Sequence, residues 1–285
     1  MHAKHLAETF LLFALLALSV HASSLQEAKA RNLPLCVGHT KVFTCGDTVT
    51  ESCIMLGNIA AKDSTCFTVS SSRILINCDG HSITGNNHAH AYGIRIEGPG
   101  GDTVKNCRII GFESGIYLDS TSDNRIVNNY ASSCARGTMP PTILMGNGFQ
   151  LYGASNNTFT NNTADSNCRF GFLLSSSPDN TFTDNTVKNV LAFNYICGFA
   201  MDSESPNNLF TYNVNEIEYS GTVQKFISGS AQNTLSSRNT GWWPLLKSNG
   251  NDSETQEYTA WYNETSGRNA DGTFNETLHY WYNNR

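Results

Sequence analysis

The 285-residue chain carries a formal net charge of −6, and only 15% of it is Asp, Glu, Lys or Arg. That excludes a helical bundle or coiled coil, which would be rich in Ala, Glu, Lys and Leu, and a nucleic-acid binder with a basic footprint. Wholesale disorder is excluded as well, because 15 Phe, 11 Tyr and 4 Trp can bury a sizeable core, and the anomaly left to explain is 32 Asn beside 23 Gly.

Residues 1–22 read as a secretory signal. Lys4 lies near the start, Phe10 to Val20 is an apolar run interrupted by Ser19, and Val20-His21-Ala22 precedes a plausible cut at Ser23. The run is too short to cross a bilayer core, which needs about 20 residues. No later segment is apolar enough to span, so the mature chain is expected to be secreted, periplasmic or at the cell surface, with no transmembrane segment. Residues 23–66 form a Cys-rich segment with Cys36, Cys45, Cys53 and Cys66. The spacing lacks the CxxC pairs of a zinc module, and two local disulfides in any of three connectivities are expected. Cys78, Cys107, Cys134, Cys168 and Cys197 make an odd total of 9, so at least one thiol is left unpaired or intermolecular.

The middle of the chain, 67–240, repeats. Segments starting at Gly93, Gly115, Gly148, Gly171 and Gly198 share Gly, apolar, any, apolar, a polar turn ending in Asn or Asp, then apolar, any, Asn or Asp. The base period is about 22 residues, with longer loops absorbing the surplus. Short alternating stretches bounded by Gly, Asn, Ser and Asp are strand patterns, and no helical period runs through them. The apolar columns mix Phe, Ile, Leu and Met, which fits a parallel β-helix better than a leucine-rich repeat. Coils stacked at the inter-strand spacing place equivalent residues above one another. Three inward columns follow: Ile94, Ile116, Phe149, Phe172 and Phe199; Ile96, Leu118, Leu151, Leu174 and Met201; and Val104, Ile126, Phe159, Phe182 and Phe210. Asn129, Asn162, Asn185 and Asn213 should form a buried amide ladder at a bend. Cys78 and Cys107 hold that position in earlier coils and read as small buried ladder residues rather than a disulfide. Residues 241–285 begin with Gly241-Trp242-Trp243-Pro244, expected to plug or edge the last coil, and continue as a polar tail.

The stretch Ile74 to Gly85 and the Gly-led coils after it resemble right-handed parallel β-helix repeat proteins, most closely the NosD-like periplasmic and cell-surface group of the pectate-lyase-like superfamily. The resemblance covers roughly Cys66 to Asn233. It implies an all-β, single-stranded right-handed parallel β-helix, a pectin-lyase-like solenoid, and does not settle function.

Paired-Asp, GHG-type and RIK-like motifs of polygalacturonase-like enzymes are missing. Two carboxylates of suitable spacing are needed for glycoside hydrolysis. The nearest candidates are Glu97 and Asp119, one coil apart, flanked by Arg95; a solvated charge cluster is the preferred reading of them. Tyr117, Gln150 and Tyr152 should face outward, where they could stack on and hydrogen-bond to sugars. His88 and His90 form an HxH pair without the Met or Cys ligands copper prefers, so no metal is assigned. No cofactor is implied, and neither calcium nor copper finds a supporting ligand set. Asn156, Asn161, Asn251, Asn263 and Asn275 sit in Asn-X-Ser/Thr sequons. The expected role is structural or carbohydrate-recognising, with a polysaccharide or cell-surface glycan as partner and no nucleic acid. The alternative is a lyase, hydrolase or epimerase acting on an acidic glycan.

Overall fold

The computed structural model describes residues 33–132, 146–168, 170–189, 197–202, 204–216, 226–228, 234–235 and 244–245. Those residues wind into a parallel β-solenoid with three sheets, and none is helical. One coil runs Tyr92–Glu97 on the first sheet (sheet B), Thr103–Lys105 on the second (sheet A), and Arg108–Ile110 on the third (sheet C). The chain then returns to sheet B at Ser114–Asp119, paired in parallel register with Tyr92–Glu97.

Pairing places the three inward columns as the repeat alignment predicts. Ile116 lies between Ile94 and Phe149, Leu118 between Ile96 and Leu151, and Ile126 between Val104 and Phe159. In the later coils these columns become two ring stacks. Phe149, Phe172 and Phe199 stack at 4.6 Å, and Phe159, Phe182 and Phe210 at 4.8–4.9 Å. The stacks meet edge to face, a favoured contact of ring quadrupoles. Opposite them, the glycine that opens each coil has a steric cause. A Cβ on Gly148 would lie 2.7 Å from the Gly171 carbonyl oxygen and 2.8 Å from the Ala164 Cβ, so a larger residue would push sheets B and C apart.

Both corners that flank sheet A are built from a dyad. Its first residue adopts a left-handed conformation and faces solvent, and its second is buried. Asp123-Asn124, Asn156-Asn157, Asp179-Asn180 and Asn207-Asn208 turn the chain from sheet B to sheet A. Asn128-Asn129, Asn161-Asn162 and Asp184-Asn185 turn it from sheet A to sheet C. Asn and Asp tolerate positive φ better than other non-glycine residues, and a carboxamide can bond above and below itself. The ladder expected at Asn129 is continuous: the Nδ2 of Asn129, Asn162 and Asn185 each donates to the Oδ1 one coil on, at 3.0, 3.0 and 2.9 Å. A second ladder, through Asn124, Asn157, Asn180 and Asn208, was read in the sequence only as turn ends. Its links are 2.9 Å from Asn124 to Asn157 and 2.9 Å from Asn157 to Asn180, while the Asn180 backbone N–H donates to Asn208 at 2.8 Å.

The disulfides are Cys36–Cys53, Cys45–Cys66 and Cys78–Cys107. The third corrects the expectation that Cys78 and Cys107 are inert ladder residues. They do occupy the ladder site, but stacking brings their Cα atoms to 4.7 Å, within bonding range. Cys168 is also disulfide-bonded; Cys134 and the side chain of Cys197 lie outside the described residues. The coil stack starts inside the Cys-rich segment, since Asp47–Val49 and Cys53–Met55 already pair in parallel with later coils. Among the described residues only Cys36–Gly38 and Val42–Phe43 pair antiparallel, and they cover the edge of sheet A. Pro244–Leu245 pairs with Phe226–Ser228 on sheet B, and residues 241–243 and 246–285 lie outside the described residues.

Asn162→Ala should cost about 2–4 kcal/mol in urea unfolding, because the Asn129 N–H, the Asn129 Nδ2 and the Ile126 carbonyl all lose a partner. The second ladder carries Asp102 where later coils have Asn. Its Oδ1 accepts from the Ile74 N–H, while its buried Oδ2 has no partner. Burial pushes this carboxyl up, with the Ile74 N–H opposing. A raised folded value favours the native state below the ordinary carboxyl range, an advantage lost as pH rises through it. Asp102→Asn should therefore raise stability by about 1 kcal/mol at neutral pH. The gain should shrink on acidification, as read from melting temperature against pH.

Candidate functional site

The corner from sheet C to sheet B is the one whose length varies. In sequence the two strands are separated by 111–113 in one coil, 133–146 in the next, and 166–169 and 189–196 in the two after that. The two corners flanking sheet A are nearly constant, as the dyads require. Loops of variable length on a fixed frame are where binding residues concentrate, so sheet B is the face to inspect.

Alternation along each sheet B strand turns Arg95 and Glu97, Tyr117 and Asp119, and Gln150 and Tyr152 outward in three successive coils. Tyr92, Ser114 and Asn147, each just before the repeat glycine, fall outside that alternation, and Ser114 and Asn147 are buried. The Tyr92 and Tyr117 rings lie 4.6 Å apart with planes tilted by 33°. Tyr152 is 53% exposed and aligned with Asp119. Beside the rings, Gln150 Oε1 accepts from Ser114 Oγ at 2.7 Å and from Asn147 Nδ2 at 3.0 Å. The Gln150 Nε2 hydrogens remain as donors, and the buried Asn147 Oδ1 has no hydrogen-bond partner. Burial, with Asp119 nearby, pushes the Tyr117 phenol up to about 12, and burial with Glu113 raises that of Tyr92. Both hydroxyls therefore stay protonated at physiological pH.

The three charged candidates come together in a specific way. Arg95 Nη2 lies 2.6 Å from Asp119 Oδ2 and 2.9 Å from Glu97 Oε2. One guanidinium nitrogen thus bridges both carboxylates, and the group also sits 6.0 Å from the Tyr117 ring centre. Arg95 and Glu97 are each more than a third exposed, so the pairs add little stability, but they determine how charge is distributed over the face.

The histidines lie at the edge of this face and do not converge. His88 Nδ1 meets the Ala89 carbonyl at 2.9 Å, and His90 Nδ1 lies 3.6 Å from the Glu113 carboxylate. Among the described residues no three His, Cys, Asp or Glu side chains are grouped to hold a metal. Asn156 and Asn161 are exposed at left-handed corners, and the Asn161 amide donates to Asn128 at 3.1 Å; Asn251, Asn263 and Asn275 lie outside the described residues. Sequence reading missed Tyr92, Ser114 and Asn147. Their signal was the position just before the repeat glycines Gly93, Gly115 and Gly148, which the pairing aligns in one column.

The pattern of coils matches a model of the right-handed β-helix region over residues 43–139 and 72–240. The chain belongs to the right-handed β-helix family. No curated protein sequence matches it. Among solved structures, this β-helix is similar to the enzymatically active domain of tailspike protein 2 of bacteriophage CBA120, at 11% identity and a TM-score of 0.48, covering 62% of this chain and 26% of that one. It is also similar to the catalytic domain of a GH87 α-1,3-glucanase in complex with nigerose, at 18% identity and a TM-score of 0.46, covering 61% and 32%. The catalytic domain of a GH87 α-1,3-glucanase in complex with tetrasaccharides gives 12% identity and a TM-score of 0.42, covering 56% and 34%. The β-helix described here thus spans between about a quarter and a third of each of those chains.

Proposed function

We propose that the protein is an exported β-helix that recognises carbohydrate on sheet B without cleaving it. The observation that carries this reading is the group of Tyr92, Tyr117 and Tyr152 beside Gln150, whose Oε1 is held by the buried Ser114 and Asn147 so that its Nε2 is left as a fixed donor. Aromatic faces cover the apolar faces of sugar rings, and fixed polar groups select among hydroxyls. Charge placement favours binding over cleavage. Glu97 and Asp119, the two carboxylates available for acid–base work, both ion-pair with the same nitrogen of Arg95. Disulfides support folding in an oxidising compartment, in keeping with an exported role for which residues 1–22 would supply the signal. No helix among the described residues is long and apolar enough to cross a membrane.

A glycan array followed by calorimetry tests the reading. Tyr117→Ala and Tyr152→Ala should each weaken binding about 3–10-fold, the loss of one aromatic contact of about 0.5–1.5 kcal/mol. Binding left unchanged in both variants would contradict recognition by this face. Wild-type protein that releases new reducing ends or unsaturated products, with the activity abolished by Asp119→Asn, would make the β-helix an enzyme instead.

A further inference from the structure

The charge arrangement of sheet B says which class of glycan the face takes. Arg95 is the only Lys or Arg in the described sheet B strands. In a site for uronic or sulfated sugars a guanidinium would be held open, ready for a bidentate bond to the ligand's anion. Here the same Nη2 is occupied from both sides, at 2.6 Å by Asp119 and at 2.9 Å by Glu97. One positive and two negative charges leave the trio at −1. Nearby, the buried Glu113 carboxylate accepts the His90 backbone N–H at 2.5 Å and adds negative potential on the same side. The Arg95 Nε has no partner but is buried, as is the unpartnered Asn147 Oδ1. The other groups not yet engaged are uncharged: the Gln150 Nε2 donors and the phenols of Tyr92, Tyr117 and Tyr152.

Resting on the recognition reading above, we propose that sheet B binds an uncharged polysaccharide and excludes anionic ones, with the Glu97–Arg95–Asp119 trio as the element that excludes them. Stacking and amide bonds attract any hexose chain. An approaching uronate meets one guanidinium already paired with two carboxylates, and the net repulsion acts as the selectivity term. The trio therefore works as a charge filter, and Arg95 holds the two carboxylates in place on the face.

The filter predicts a salt dependence that a neutral site lacks. Binding is measured by calorimetry on the full chain against neutral glucan, mannan and xylan oligomers, a polygalacturonate oligomer and a chitosan oligomer, in about 0.02 M and about 0.5 M salt, where the Debye length falls several-fold. At least one neutral oligomer should bind, with affinity changing less than about twofold between the two salts. Polygalacturonate should bind at least about tenfold more weakly at low salt and improve as salt screens the repulsion. In the Glu97→Gln/Asp119→Asn double variant Arg95 is left unneutralised. Polygalacturonate should then gain at least about tenfold at low salt, and its salt dependence should reverse sign. A cooperative thermal transition in that variant shows that it folds, and the sign of the salt effect does not depend on its absolute affinity. Wild-type protein that binds polygalacturonate as tightly as the neutral oligomers overturns the filter while leaving carbohydrate recognition standing. Tighter, salt-sensitive binding of chitosan overturns the uncharged class in the same way. If none of these glycans binds, the recognition reading itself falls and the filter with it.

Discussion

A buried carboxamide has two donors and two acceptor positions, and few places inside a protein satisfy them all. In this chain the solution is another carboxamide one coil away. The Asn129 and Asn124 ladders repeat that bond at successive coils, with the backbone N–H donating to the same oxygen as the side chain. Slipping one coil by a residue would leave several buried polar groups without partners, at about 1–3 kcal/mol each. The ladders therefore set the register, and the stacked phenylalanines fill the space the register encloses. Everything on the outer faces inherits its position from that constraint.

The same constraint explains why one corner is free to vary. Each ladder fixes the two-residue dyad next to sheet A: from Asn106 on, the corner to sheet C is that dyad in every described coil, and the corner from sheet B lengthens only ahead of its dyad, at 202–208. The corner between sheets C and B shows no continuous carboxamide ladder among the described residues, and the spacing between its strands varies most. It leads into the strands where Tyr92, Tyr117, Arg95 and Gln150 lie. The ladders and the proposed recognition face thus occupy different parts of the coil, which allows the face to diverge while the frame stays fixed.

Much of this was legible in the sequence because a period of stacked coils turns residue numbers into neighbours. The three inward columns and the Asn129 ladder follow from the alignment alone. Other features were hidden for physical reasons. Asn124 and its equivalents end polar turns, where Asn is common anyway, so their burial left no separate mark. Cys78 and Cys107 were placed at the right height, but whether two stacked thiols bond depends on Cα separation and side-chain direction. Glu97 and Asp119 were identified as neighbours, while the sharing of one Arg95 nitrogen between them is a matter of rotamers that no spacing reveals. The excess of Asn noted at the outset now has two distinct uses, one exposed and left-handed, the other buried and paired.

Hydrogen–deuterium exchange with and without a saturating neutral oligosaccharide tests the central claim, that sheet B is the recognition face of a frame held rigid by its ladders. The account predicts added protection in Tyr92–Glu97, Ser114–Asp119 and Asn147–Tyr152, with the ladder corners around Asn129 and Asn162 slow to exchange in both states and unchanged by ligand. Protection that appears instead on Thr158–Thr160 and Thr181–Thr183 of sheet A, or on the strands of sheet C, would contradict it.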